Sequence, residues 1–114
     1  QNFLVVLLDR EGKRRLPITI GQFEGSSLSM FLREINLPRP VTSEFAVRIL
    51  DALEAELVEV RVEKLEQSIF YAVAVIKSGD QVKELDARPS DAMCVAALKG
   101  TPLYVTDEVW EQGG

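Results

Sequence analysis

Asp86-Ala87-Arg88-Pro89-Ser90-Asp91-Ala92 decides how this chain is read, because it converts a strand into a helix. Before it, Val82, Leu85 and Ala87 belong to an alternating run that reads as a strand. After it, Met93, Val95, Ala96, Ala97 and Leu98 form an apolar run that reads as a helix. Pro89 marks the first turn of that helix, where its missing N–H would have had no partner anyway. Asp91, two residues on, suits the positive end of the helix dipole. One corner therefore holds Asp86, Arg88 and Asp91 together. Such corners bind anions or metals in many folds, yet acids in a first turn more commonly just cap the helix.

Working outward, Phe3 to Leu8 is an apolar run followed by turn residues, and Arg15 to Ile20 returns with Leu16, Ile18 and Ile20 on one face. Helical spacing follows in Leu28, Phe31, Leu32 and Ile35. It recurs in Ala46, Ile49, Leu50 and Leu53, where Thr42 or Ser43 is placed to cap. The small residues Gly25, Ser26, Ser27 and Ser29 imply close approach of another backbone. Leu57 to Leu65 alternates as a half-exposed strand, Ile69 to Ile76 reads as a central one, and Leu103-Tyr104-Val105 as a last short one. An ungapped offset of 67 residues lays Phe70 on Phe3, Gly79 on Gly12, Leu85 on Ile18 and Asp91 on Glu24. Both stretches then read strand, glycine turn, strand, acidic helix start, which implies an internal duplication.

The expected fold is α+β in a single domain, residues 1–114. A curved mixed β-sheet, made from two related hairpins and the strand at 57–65, is covered by helices over residues 22–35, 43–54 and 89–99. An exposed strand edge makes a homo-oligomer the expected state.

Composition excludes more than it assigns. The 114 residues include no histidine, so Ser-His-Asp and Cys-His catalysis and histidine metal sites are impossible within the chain. Chemistry falls to carboxylates, arginines, lysines, hydroxyls or a metal held by oxygen ligands. The net charge of −5 is unlike that of most nucleic-acid binders and demands a local cation for any phosphate contact. The dense basic cluster Arg10, Lys13, Arg14 and Arg15 reads as a solvated hairpin tip. The lone Cys94 sits among apolar helix residues as a structural thiol. No run is long enough to span a membrane and no signal peptide is seen, so a cytoplasmic protein is the default expectation. Because the chain enters a strand almost at Gln1, further residues upstream are expected.

Leu16-Pro17-Ile18-Thr19-Ile20-Gly21 with Glu24, then Arg39-Pro40-Val41-Thr42, then the corner at 86–92 and the Leu103-Tyr104-Val105 ending resemble the bifunctional nuclease domain family. The resemblance spans nearly the whole chain and implies a nuclease acting on DNA or RNA. It departs at one point: Ser43 stands where relatives often carry histidine after Arg-Pro-x-Thr. What it implies is metal-assisted phosphodiester hydrolysis. Glu24, Asp86 and Asp91 would serve as catalytic base or ligands, Asp86 and Asp91 holding Mg²⁺ or Mn²⁺. Arg39, Arg88 and Thr42 would contact the substrate. The alternative is a non-enzymatic binding or regulatory module in which Asp86 pairs with Arg88, and Glu24 and Asp91 only cap helices.

Overall fold

Turn chemistry and alternation set the elements of the computed structural model, which describes residues 2–114. Strand β1 (Phe3–Leu8) pairs antiparallel with β2 (Arg15–Ile20), Val5 opposite Ile18. Gly12 supplies the left-handed residue of their turn at φ 71°. Leu16, Ile18 and Ile20 alternate into the core as expected. Helices α1 (Gln22–Leu32) and α2 (Thr42–Ala52) come next. Then β3 (Glu56–Glu66), β4 (Ile69–Ser78) and β5 (Gln81–Ala87) run as an antiparallel meander. Helix α3 (Pro89–Lys99) leads to β6 (Leu103–Val105), which adds parallel to β3, and α4 (Asp107–Gly113) closes the described chain.

The α+β class holds, but the strands form two sheets rather than one. A four-stranded sheet has the order β5-β4-β3-β6, and β1-β2 stands apart as a two-stranded ribbon. β6 takes the second side of β3, and the ribbon joins the larger sheet through side chains: Leu16, Ile18 and Ile20 share one cluster with Val62 of β3 and Met93 and Cys94 of α3. A second cluster, Leu57, Val60, Ala72, Ala92 and Ala96, fixes α3 on the larger sheet.

Two helices depart from expectation. α1 stops at Leu32, where Glu34 turns left-handed at φ 56° and Ile35 N–H bonds back to Met30 O at 3.0 Å. Leu28 and Phe31 are buried, but Leu32 and Ile35 are exposed. Helix α2 buries none of its residues, so the anticipated buried face of Ala46, Ile49, Leu50 and Leu53 is a partly open one. α3, by contrast, spans the expected range, with Pro89 at its start and Gly100 (φ 67°) at its C-cap. No helix among the described residues is long and apolar enough to cross a membrane.

The duplication is visible in the elements. Gln22–Leu32 and Pro89–Lys99 coincide residue for residue at the offset of 67. The hairpins match less closely. Phe3 faces Ile20 in the first, whereas Ala72, not Phe70, faces Ala87 in the second. That two-residue slip comes from the tighter Gly79-Asp80 turn, and because it is even it leaves every side chain on its original face.

Candidate functional site

The two related helices pack on each other, and their first turns meet α2 around one cleft of about 310 Å³. Phe23, Glu24 and Ser27 come from α1, Val41, Thr42 and Ser43 from the start of α2, and Arg88, Asp91 and Cys94 from α3. The N-caps are Gly21, Val41 and Arg88, and none of these side chains caps its helix. Thr42 is already helical, so neither it nor Ser43 caps α2; instead Glu44 reaches back to the Val41 N–H at 3.1 Å. The hydroxyls of Thr42 and Ser43 are therefore spared that duty at the cleft. Three helix starts with first-turn N–H groups lacking side-chain caps thus gather at one place. α4, whose Thr106 hydroxyl accepts from Val109 N–H, shows the ordinary arrangement.

Arg88 sits at the centre. Its Nε and Nη2 donate to the two Asp91 oxygens at 2.8 and 3.0 Å, a bidentate fork within one helical turn. Nη2 also donates to Glu24 Oε2 at 3.3 Å, joining α1 to α3. The guanidinium side chain stays 66% exposed, so the triad is open to a ligand. Hydrogen bonding to Asp91, followed by the Asp91 and Glu24 charges, raises its already high pKa, and it is a permanent cation.

The duplication explains why one arginine serves two acids. Glu24 and Asp91 occupy equivalent third helical positions, but the residue equivalent to Arg88 is Gly21. A Cβ at Gly21 would collide with Glu24 Oε1, so the bare N-cap lets Glu24 fold over it. Gly25, one position on, admits the Phe3 ring where any Cβ would clash, the close approach that the small residues implied, here by a side chain.

Cys94 is buried, and its Sγ lies 3.6 Å from Glu24 O as a weak donor. Burial pushes its thiol pKa up, against a lowering contact from Ser43, which keeps it protonated and poor as a nucleophile. Of the residues singled out from the sequence, Glu24, Thr42, Arg88 and Asp91 line the cleft. Asp86 does not. It lies on β5 opposite Val73 and borders the separate apolar hollow beside α2, of which Asp91 forms another part of the wall. Arg39 is exposed in the linker before α2 and is not part of the lining. Phe23, Ser27, Val41, Ser43 and Cys94 complete the lining and are not among the site residues expected from the sequence. Only Phe23 carried a signal, an aromatic off the Leu28/Phe31 stripe.

The donors around the triad are carboxylate and hydroxyl oxygens. Among the described residues no group of three Asp, Glu or Cys gathers as a metal cluster. Two carboxylates with hydroxyls and open solvent nevertheless suit a hard cation such as Mg²⁺ or Mn²⁺, which completes its shell from water and substrate oxygens; they do not suit Zn²⁺.

The model for the bifunctional nuclease domain matches residues 5–114. The chain belongs to the bifunctional nuclease domain family. Two uncharacterised proteins of Mycobacterium tuberculosis, from strains CDC 1551 / Oshkosh and ATCC 25618 / H37Rv, are each 36% identical to it over 115 residues, covering all of this chain and 68% of theirs. "Bifunctional nuclease 2" of Oryza sativa subsp. japonica is 26% identical over 108 residues, covering 92% of this chain and 33% of the rice protein. The three helix starts without side-chain caps and the exposed arginine of the cleft suit an anion.

Proposed function

We propose that this cleft binds a phosphodiester of DNA or RNA and hydrolyses it. The observation that carries the reading is the convergence of three helix starts without side-chain caps on one exposed arginine, in a chain of this family. First-turn N–H groups and helix dipoles favour an anion, and a guanidinium offers phosphate a planar fork. Arg88 exchanges its carboxylate partners for a non-bridging phosphate oxygen and neutralises charge as the transition state forms. Thr42 and Ser43 donate hydroxyl hydrogen bonds to the same group. The carboxylate released from Arg88, Asp91 or Glu24, accepts a proton from the attacking water. A bond forms from that water oxygen to phosphorus, the ester P–O bond breaks, and the leaving oxygen takes up a proton.

Glu24 and Asp91 are the pair that would hold Mg²⁺ or Mn²⁺, with the Thr42 and Ser43 hydroxyls nearby. Bound there, such an ion would lower the pKa of a coordinated water and draw charge from the phosphate. Asp86 and Arg39 have no part in this reading. Self-association belongs with it: Phe45 and Ile49 of α2 and Leu53 at its C-cap are exposed, and light scattering that found only monomer at high concentration would remove it.

Cleavage of single strands of RNA and DNA, with Mn²⁺, Mg²⁺ or EDTA, tests the proposal. Arg88→Ala is expected to lose about 10²–10³-fold in kcat, the cost of removing a preorganised charge-stabilising group. The wild type should melt higher in Mn²⁺ than in EDTA, by what mass action gives at saturation, up to about 3 kcal/mol, and Asp91→Asn should lose that increment. If Asp91 only supports its helix, Asn should cost at most about 1 kcal/mol in either buffer.

One observation favours a second reading. The fork of Arg88 is already satisfied by Asp91 and Glu24, which is how a purely structural clasp between α1 and α3 would look. On that reading the chain is a non-enzymatic binding module. No cleavage under any metal, with equal melting in Mn²⁺ and EDTA, would decide for it.

A further inference from the structure

Arg88 is the wall between two clefts. On its far side lies a second hollow of about 280 Å³, lined by Thr19, Gly21, Ser68, Phe70, Arg88 and Ser90 among others. Both volumes are at the low end for ligand sites, far from a surface that could follow a duplex. The second is supplied with hydroxyls, and Ser90 beside Arg88 is the buried polar residue of the described chain, 6% exposed. Phe23, on the rim of the first, is 81% exposed. It lies in the first turn of α1 next to Glu24 and off the stripe that buries Leu28 and Phe31, so packing does not account for it.

Resting on the phosphodiesterase reading, we infer that the substrate is a single strand that crosses Arg88 from one cleft to the other, with the base on the first side stacked on the ring of Phe23. The charge balance argues for this. A duplex is held by many phosphate contacts to a basic face, whereas this chain carries −5 and the two clefts share one cation, Arg88. With so little electrostatic attraction, affinity must come from contacts that a duplex hides in its base stack. An exposed aromatic ring beside a phosphate-binding arginine provides that contact, because every unpaired base has a face to stack. The hydroxyls of Thr19, Ser68 and Ser90 then receive the neighbouring sugar or phosphate in the second cleft.

The test uses the full chain and a short single strand carrying 2-aminopurine, whose fluorescence falls on stacking, against the same strand in duplex, with Mn²⁺ and with EDTA. The wild type is expected to quench the single strand and to bind it at least about tenfold more tightly than the duplex. Phe23→Ala should weaken single-strand binding about tenfold, abolish the quench and raise KM more than it lowers kcat. Phe23→Trp should restore all three, which a merely structural role for residue 23 would not produce. Unchanged melting of Phe23→Ala shows that the variant is folded. If Phe23→Ala binds like the wild type, or the duplex binds as well as the strand, while Arg88→Ala still abolishes cleavage, this inference is overturned and the phosphodiesterase reading stands. A wild type that neither binds nor cleaves either form overturns the phosphodiesterase reading, and this inference with it.

Discussion

The two halves of the duplicated unit have been put to different uses. In β1-β2-α1 the N-cap is Gly21, the fourth helical residue is Gly25, and the turn between strands is long. In β4-β5-α3 the corresponding features are Arg88, Ala92 and the tight Gly79-Asp80 turn. The second half supplies the cation and the first supplies the space around it: Gly21 clears room for Glu24, and Gly25 for Phe3. A repeat with an arginine at both N-caps would leave each acid satisfied within its own helix. The asymmetry makes the triad a contact between the halves, with one guanidinium and two acids.

The strongest way to break that comparison is to give the first half a side chain. Gly21 has φ −67°, which alanine adopts freely, so Gly21→Ala carries no backbone strain. Its Cβ displaces only the end of a flexible Glu24, a small matter for stability. For activity the expectation is different. If Glu24 acts as proposed, losing its position should lower kcat by about 10²-fold while the melting temperature stays level or rises. A variant with normal kcat would show that Glu24 need not lie against Gly21.

The next substitution exchanges Gly25 and Ala92, which are equivalent in the two helices. On helix propensity alone Gly25→Ala would stabilise by about 1 kcal/mol. The collision with Phe3 reverses this: overpacking costs about 1–3 kcal/mol, so a net loss is expected in denaturant melts. Ala92→Gly should also destabilise, by about 1 kcal/mol, since Ala92 is buried and meets no such obstacle. Gain of stability in Gly25→Ala would mean that Phe3 yields freely.

How far the sequence reveals this arrangement depends on which physics set each element. α3 is bounded by Pro89 and Gly100, residues whose backbone preferences act locally, and its limits are legible. The end of α1 is not, because Glu34 takes the left-handed turn that glycine usually takes. Strand existence is legible from alternation. The strand order is not, since β6 reaches the β3 edge from far along the chain and the β1-β2 ribbon stays apart from that sheet. At the site, Arg88 and Asp91 are one helical turn apart, and their pairing follows from spacing. Asp86 is their neighbour in sequence but belongs to a strand, and it ends outside the cleft. Glu24 joins them only through tertiary packing, and its sequence signals are the repeat and the family resemblance. The open face of α2 is likewise invisible to periodicity, which marks an apolar stripe without saying what covers it.

The smallest expected effect concerns the long turn that only the first half has. Asp9 holds it: Oδ1 accepts from the N–H groups of Lys13 at 2.8 Å and Arg14 at 3.2 Å, and Oδ2 from Arg14 Nε at 3.1 Å. Arg14 extends the contact by stacking on Trp110 at 4.9 Å and pairing with Asp107 at 3.2 Å. These hydrogen bonds, that from the Arg14 backbone foremost, hold the Asp9 carboxyl below its ordinary 3.8. The folded state therefore binds the proton less readily than the unfolded one. Asp9 contributes stability that is present in full above pH 3.8 and is lost as pH falls through the lowered value. Asp9→Asn removes the charge but keeps one acceptor, so the melting temperatures of wild type and variant should differ most at neutral pH and converge as the pH drops below 3.8. Among the described residues the two-residue β4-β5 turn has no carboxylate hydrogen-bonded in this way. A gap for Asp9→Asn that stays constant from neutral to acid pH would mean that the carboxylate charge does not hold the turn.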